Sequence, residues 1–356
     1  MKRGIVLAVL LMSLGALVSA PGARAASDAL TRVIEGAKKE GAVDVVLPSS
    51  LTPEGVSKVE KAIAAKYGVS LKINYTPARS YPQLTAQAIS EFRAKVTPSY
   101  DLHVSSDSNM FDAVRAGVLE KVDWGPLLPE GTPPQVVQFG GESVAIYTGH
   151  VGLLYNPQVI SPQDAPVSLS DLGKPKWKGK FVIFPYTDLY SAYSRIYDNA
   201  RILTDLKAMM NNGAVVDTYP NEYRRFTVGE YPMILITSAF YSQAVKKGIP
   251  ARFKSLDFAY VTIHQLGVRK GARHPNAARL LIAYMSGPEA HRIWENEIGN
   301  GNAFYPDSYE HKLSQEAQKS GLKIFNWSQW PGALEFMGTK ASEDLAKEMT
   351  RILRAQ

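Results

Sequence analysis

The chain is expected to fold as an α/β protein with largely parallel sheets, and three features of its sequence point there. Short apolar, β-branched runs alternate with segments of helical period. One unit, a strand followed by a short polar segment and a helix, recurs four times. The 356 residues are 45% hydrophobic, enough for two cores, yet no long Gly/Ser or Pro-rich linker divides them. Two lobes of such a chain would share it through several crossovers.

Taken in order, Leu30, Val33, Ile34 and Ala37 recur at helical spacing, and Gly41 ends that helix. Val43 to Leu47 forms the first strand, and Pro48, Ser49 and Ser50 follow it. A helix opens at Thr52, a good N-cap, with Pro53 in its first turn and Val56, Val59, Ile63 and Tyr67 on its buried face. Val69 to Tyr75 alternates with period two, as a half-buried strand does. "YDLHV" then gives way to Ser105–Asn109 and a helix containing Phe111, Val114 and Leu119. "KFVIF" gives way to Pro185–Asp188 and a Tyr-rich helix running to about Lys207. "MILI" gives way to "TSAFY", Thr237 to Tyr241. Ligands of α/β sheets sit beyond the carboxyl ends of the strands. Ser, Thr and Asp are ordinary caps at any one such place, but four polar strand ends of one type mark a binding face.

The start of the chain reads as a secretory leader. Lys2 and Arg3 precede an apolar run from Ile5 to about Val18, and Ala23 and Ala25 supply small residues for cleavage after Ala25. Losing residues 1–25 removes Lys2, Arg3 and Arg24 and no acid, so the formal charge falls from +7 to +4. That mild surplus argues against a nucleic-acid partner. The densest basic run, Lys174–Lys180, is broken by Pro175 and Gly179 and reads as a solvated loop. There is no cysteine, hence no disulfide, no thiolate nucleophile and no lipid-bearing residue after the leader. The mature chain is expected to be a soluble monomer.

Catalytic signatures are missing. No P-loop or nucleophile elbow occurs, and Gly299–Phe304 lacks both the third glycine and the preceding strand of a dinucleotide fingerprint. The six histidines show no metal spacing, and His103, on a strand, reads as a core residue. No cofactor and no resident metal are expected.

Several stretches resemble a known family. Ala37–Ser50, Ala116–Trp124, Val151–Pro157, Asp171–Phe184, Gly229–Ile236 and Gly267–Trp294 are similar, in order, to the ferric-iron-type periplasmic solute-binding proteins of ABC transporters. The resemblance implies a type 2 periplasmic-binding fold of two lobes around a ligand cleft. Residues 26–143 and 264–306 would form the N-terminal lobe, residues 144–263 the C-terminal lobe, and residues 307–356 helices that brace them. Crossovers are expected near Val144–Tyr155 and Phe258–Gly267.

The ligand implied is less simple than the family name. Iron-binding members place two adjacent tyrosines where the strand matching "MILI" meets its helix, and here those positions hold Ala239 and Phe240, with Tyr241 just beyond. The histidine that some members carry falls at or near Leu51. The resemblance then places Ser49, Ser50, Ser105, Ser106, Tyr186, Thr187, Thr237, Ser238 and Tyr241 around the pocket, with Arg79 as an oxyanion clamp and Tyr81 as a stacking ring. The expectation is a receptor for a small anionic organic solute that docks to an inner-membrane ABC permease. Ferric iron is the alternative ligand, and a periplasmic enzyme on the same fold is the alternative class.

Overall fold

A helix Pro21–Glu40 opens the part of the chain that the computed structural model describes, residues 21–48 and 51–355. Most of the expected leader, and Ser49 and Ser50 with it, lie outside these residues. Eleven strands follow among the described residues: β1 Ala42–Pro48, β2 Lys72–Ala78, β3 Leu102–Ser106, β4 Val137–Gln138, β5 Ser143–Tyr155, β6 Phe181–Ile183, β7 Val215–Val216, β8 Met233–Thr237, β9 Arg252–Lys254, β10 Ala259–Val268 and β11 Ile324–Phe325. The helix Pro53–Tyr67 starts as the sequence indicates, with the Thr52 hydroxyl accepting from Gly55 N and Gly68 closing it in the left-handed region. No described helix is long and apolar enough to cross a membrane.

The apolar residues gather into two main cores. The first takes Val43, Val45, Val104, Val144–Tyr147, Ile263, Leu266 and the helix Pro275–Met285. The second takes Val151, Leu153, Tyr155, Phe181, Leu235, Tyr260 and, from the C-terminal segment, Phe325, Trp327, Leu345 and Met349. The helices after residue 307 therefore contribute directly to the second core. Leu154, Val182, Ile234 and Ile236 face a smaller cluster on the other side of the same sheet. Both faces of that sheet are covered, which is why "MILI" is apolar at successive positions.

Two strands join the lobes. β5 is buried along all 13 residues, pairs with β10 from Val144 to Val151, and pairs with β8 from Val151 to Tyr155. The main sheet runs β11-β10-β5-β8-β6-β7, with β3 on β10 and both β4 and β9 on β5. Pairing is parallel for β1–β2, β6–β7, β6–β8 and β10–β11, but β10 with β3 and β5, and β5 with β8, are antiparallel. A strand that passes straight from one core into the next has no helix to return it to the common direction, so the sheet is mixed.

Local departures have local causes. β2 starts at Lys72 rather than Val69, because its partner β1 begins at Ala42, opposite Lys72; Val69 and Leu71 are buried ahead of the ladder. The Tyr-rich helix divides into Asp188–Ile196 and Asn199–Asn211, where Tyr197 leaves helical geometry and Asp198 caps the second piece by accepting from Arg201 N. Ser105 and Ser106 are the last residues of β3 rather than a loop, and the helix Asp107–Arg115 follows at once. Trp177 anchors the basic loop in the second core while Lys174, Lys176, Lys178 and Lys180 stay exposed.

Candidate functional site

Where the two cores meet, a cleft of about 260 Å³ opens between residues of both. The first lobe supplies Tyr81 from a helix start and Ser106 from the end of β3. The second supplies Phe184 and Tyr186 from the turn after β6, Asp188 and Leu189 from the first turn of the helix Asp188–Ile196, Tyr219 from the start of the helix Tyr219–Thr227, and Thr237 from the end of β8. The crossover strands complete the floor with Val151 from β5 and Tyr260, Thr262 and His264 from β10. The last three alternate along one strand, so one face of β10 looks into the cleft.

The lining is rich in rings. Tyr186 and Tyr219 lie 5.0 Å apart at 61°, and Phe184 lies 5.1 Å from Tyr219 at 70°. Across the cleft, His264 stacks on Tyr147 at 4.3 Å and tilts against Tyr81 at 5.6 Å.

Its charge is one-sided. Asp188 is the single carboxylate of the lining, which holds no Lys or Arg. Asp188 is open to the cleft but walled by protein, and the loss of hydration pushes its carboxyl up, opposed by a hydrogen bond from Ser108 of the other lobe. Behind it, buried Asp107 is pushed up to about 7, first by desolvation and then by the charge of Asp188. Trp327 N and Asn326 Nδ2 hold one Asp107 oxygen at 3.0 and 3.1 Å, which ties the C-terminal segment to the first lobe. Desolvation lowers His264 to about 3, so it is neutral. Burial raises the phenols of Tyr81, to about 12, and of Tyr186, Tyr219 and Tyr260.

The residues expected from the sequence divide sharply. Tyr81, Ser106, Tyr186 and Thr237 line the cleft. Thr187 sits beside them, half-buried, as the residue before the helix Asp188–Ile196. Ser105 is fully buried on β3, opposite Gln265, and its hydroxyl has no partner. Ser238 is also fully buried: its hydroxyl donates to Glu310 Oε1 at 2.5 Å and accepts from His150 N at 3.0 Å. Tyr241 turns away from the cleft, stacks on Phe253 at 6.2 Å and packs on the outer cluster. Arg79 is exposed at the end of β2, on a separate groove with Gln83, Gln87 and Tyr100. The oxyanion clamp thus lies outside the cleft.

Sequence reasoning missed Asp188, Tyr219, Tyr260, Thr262 and His264. Asp188 closes the polar segment already singled out, and the β10 residues could have been found by reading a crossover strand with period two. Tyr219 follows a strand of only two residues, which gives almost no signal. His103, in contrast, is the buried core histidine expected, bonded to the Thr85 hydroxyl at 3.2 Å. Among the described residues one cluster has metal-ligand spacing, Asp44, Asp101 and His274, and none of its members lines the cleft.

The sequence profile of the family described as "Bacterial extracellular solute-binding protein" matches residues 96–331. Over 191 residues the chain is 26% identical to the "Fe(3+)-binding periplasmic protein" of Serratia marcescens, a match covering 49% of this chain and 56% of that relative. The chain thus spans little more than half the length of this curated relative. Iron-bound HitA from Pseudomonas aeruginosa superposes with a TM-score of 0.62 at 20% identity, covering 88% of this chain and 99% of HitA. AgtB from Agrobacterium tumefaciens, in complex with agropinic acid, superposes with a TM-score of 0.64 at 16% identity, covering 87% and 98%. At such identities the likeness is one of fold.

Proposed function

The chain belongs to the bacterial extracellular solute-binding proteins, and from that membership we propose that it is the periplasmic receptor of an ABC importer, capturing a small organic solute between its lobes and passing it to a permease. The observation that supports this reading is the cleft: a small space lined by rings and a few hydroxyls, formed by both lobes where β5 and β10 cross. Export by cleavage after Ala25 belongs to the same proposal. Intact-mass analysis of periplasmic protein should find Ala26 as the first residue, and retention of Met1 would refute it.

The cleft gives no support to an anionic ligand. Arg79 is elsewhere, and the helix starts expected to attract anions already face carboxylates of the protein. Asp107 and Asp188 occupy the first turns of two of them, and Glu310 bonds Ser238 at the third. A ferric ligand is the second reading, favoured by the iron-binding relative and by four cleft tyrosines, 81, 186, 219 and 260. Against it, the four phenols come from separate elements, and the strand end that holds the paired tyrosines of iron binders has Phe240 packed on Tyr223 at 5.0 Å. The lining offers no paired nucleophile and base that would support an enzyme.

A thermal-shift screen over amines, organic acids, sugars, phosphorylated compounds and ferric citrate tests the receptor. A ligand at 100 times its Kd adds about 2.7 kcal/mol, a rise of several degrees. No stabilisation by any class, or conversion of the bound compound to product, would count against a receptor.

A further inference from the structure

We propose that the cleft recognises its solute through a positively charged organic ammonium group, seated against the rings of Tyr186 and Tyr219 and paired with Asp188. The inference rests on the receptor reading and names its ligand class. Three independent observations lead to it.

The first is the ring geometry. Tyr186, Tyr219 and Phe184 meet at 5.0–6.0 Å, two of the three pairs edge-to-face, so the rings form a corner rather than a flat stack. Ring faces are electron-rich, and a cation within about 6 Å of them is attracted, most strongly when it has lost its water. An ammonium carrying alkyl groups suits such a corner because its charge is spread over apolar surface.

The second is an uncompensated acid. Asp188 is two residues from Tyr186, and no ion pair to it exists among the described residues; the neighbouring Ser108 hydroxyl is neutral. A carboxylate open to the cleft, with no basic side chain beside it, is free to pair with an incoming cation. The third is the character of the remaining lining. It holds no Lys or Arg, and its one histidine is neutral, so nothing there would repel a cation or pair with an anion.

A minimal probe separates charge from shape. Tetramethylammonium and tert-butanol are near in size and differ in charge, and acetate supplies the opposite sign. Titrations followed by ligand-observed NMR should show tetramethylammonium binding at least tenfold more tightly than tert-butanol. Asp188→Asn should reduce that preference to below threefold. Tyr186→Leu, at a position 43% exposed, provides a second variant should the first fail to fold, and should also lose most of the preference. A wild-type protein that binds both probes equally, prefers acetate, binds none of the three, or keeps its preference in both variants overturns the inference. The receptor reading is judged separately: an organic acid or ferric citrate that stabilises the protein in the thermal screen keeps the receptor and removes the ammonium, whereas failure of every class removes both.

Discussion

Glu222 is fully buried beneath the cleft rings, and neither of its carboxyl oxygens has a hydrogen-bond partner. Desolvation, helped by the charge of Asp217, pushes it up to about 9, so the folded protein holds this proton at neutral pH. The unfolded chain releases it near the ordinary value of 4.5. Between those two values the folded state binds one more proton, so stability falls as pH rises, with a slope approaching about 1.4 kcal/mol per pH unit. Glu222→Gln should remove this slope. Urea unfolding at pH 5, 6, 7 and 8 should give a variant whose advantage over wild type grows with pH, and parallel curves would show that Glu222 is not the group responsible. The cleft admits a simpler test of placement. Arg79→Ala should leave the affinity for whichever solute the screen selects within about twofold, while Tyr219→Ala should weaken it at least tenfold, about 1.4 kcal/mol. The reverse order in calorimetry would return Arg79 to the site. Such single residues were the least legible part of the sequence. Thr237 and Ser238 are neighbours of identical promise, yet one lines the cleft and the other is locked to Glu310, 72 positions away. Nothing near Ser238 in sequence announces that partner.

At the scale of elements the sequence is far more informative, because caps, periods and breakers act over a few residues. Thr52 with Pro53, the four apolar strands and the ends marked by Gly41 and Gly68 are all local signals. Strand direction is not local. The antiparallel course of β5 depends on β8 and β10, more than 70 residues further on, and only the family resemblance hinted at a crossover there. The crossover also constrains its own sequence. A Cβ on Gly152 would overlap the backbone carbonyl of Lys254 on β9, and backbone cannot step aside cheaply. A Cβ on Gly149 would meet side-chain atoms, the Asn300 amide at 3.4 Å and the Thr262 hydroxyl at 3.6 Å, which can give. Gly152→Ala should therefore cost about 1–3 kcal/mol, the usual price of overpacking. Gly149→Ala should cost well under half as much. Equal losses in thermal unfolding would mean that the β5–β9 contact does not limit the strand.

Seen as a whole, the molecule is two cores joined by β5 and β10 and fastened at three further places. Asp188 of one lobe faces the Ser108 hydroxyl of the other, and the C-terminal residues Asn326 and Trp327 hold Asp107. At the junction, His150 of β5 bonds Glu310 through Nδ1 at 2.5 Å and approaches the Ser314 hydroxyl at 3.1 Å through Nε2. The Asp107 and His150 fastenings are buried, and each is made by groups of the chain itself. The Asp188–Ser108 contact is different, because Asp188 lines the cleft that a ligand must enter. It is the fastening a solute can replace, so opening should break it first while the buried ones act as the pivot. Domain closure around a ligand shortens the whole particle. Solution scattering should therefore give a smaller radius of gyration at saturating solute than without it. In Ser108→Ala, which removes the direct tie but none of the buried ones, the solute-free protein should be more open than wild type and should contract further on binding. A profile unchanged by solute in both proteins would mean that the lobes do not move, and that the cleft fills through side-chain rearrangement alone.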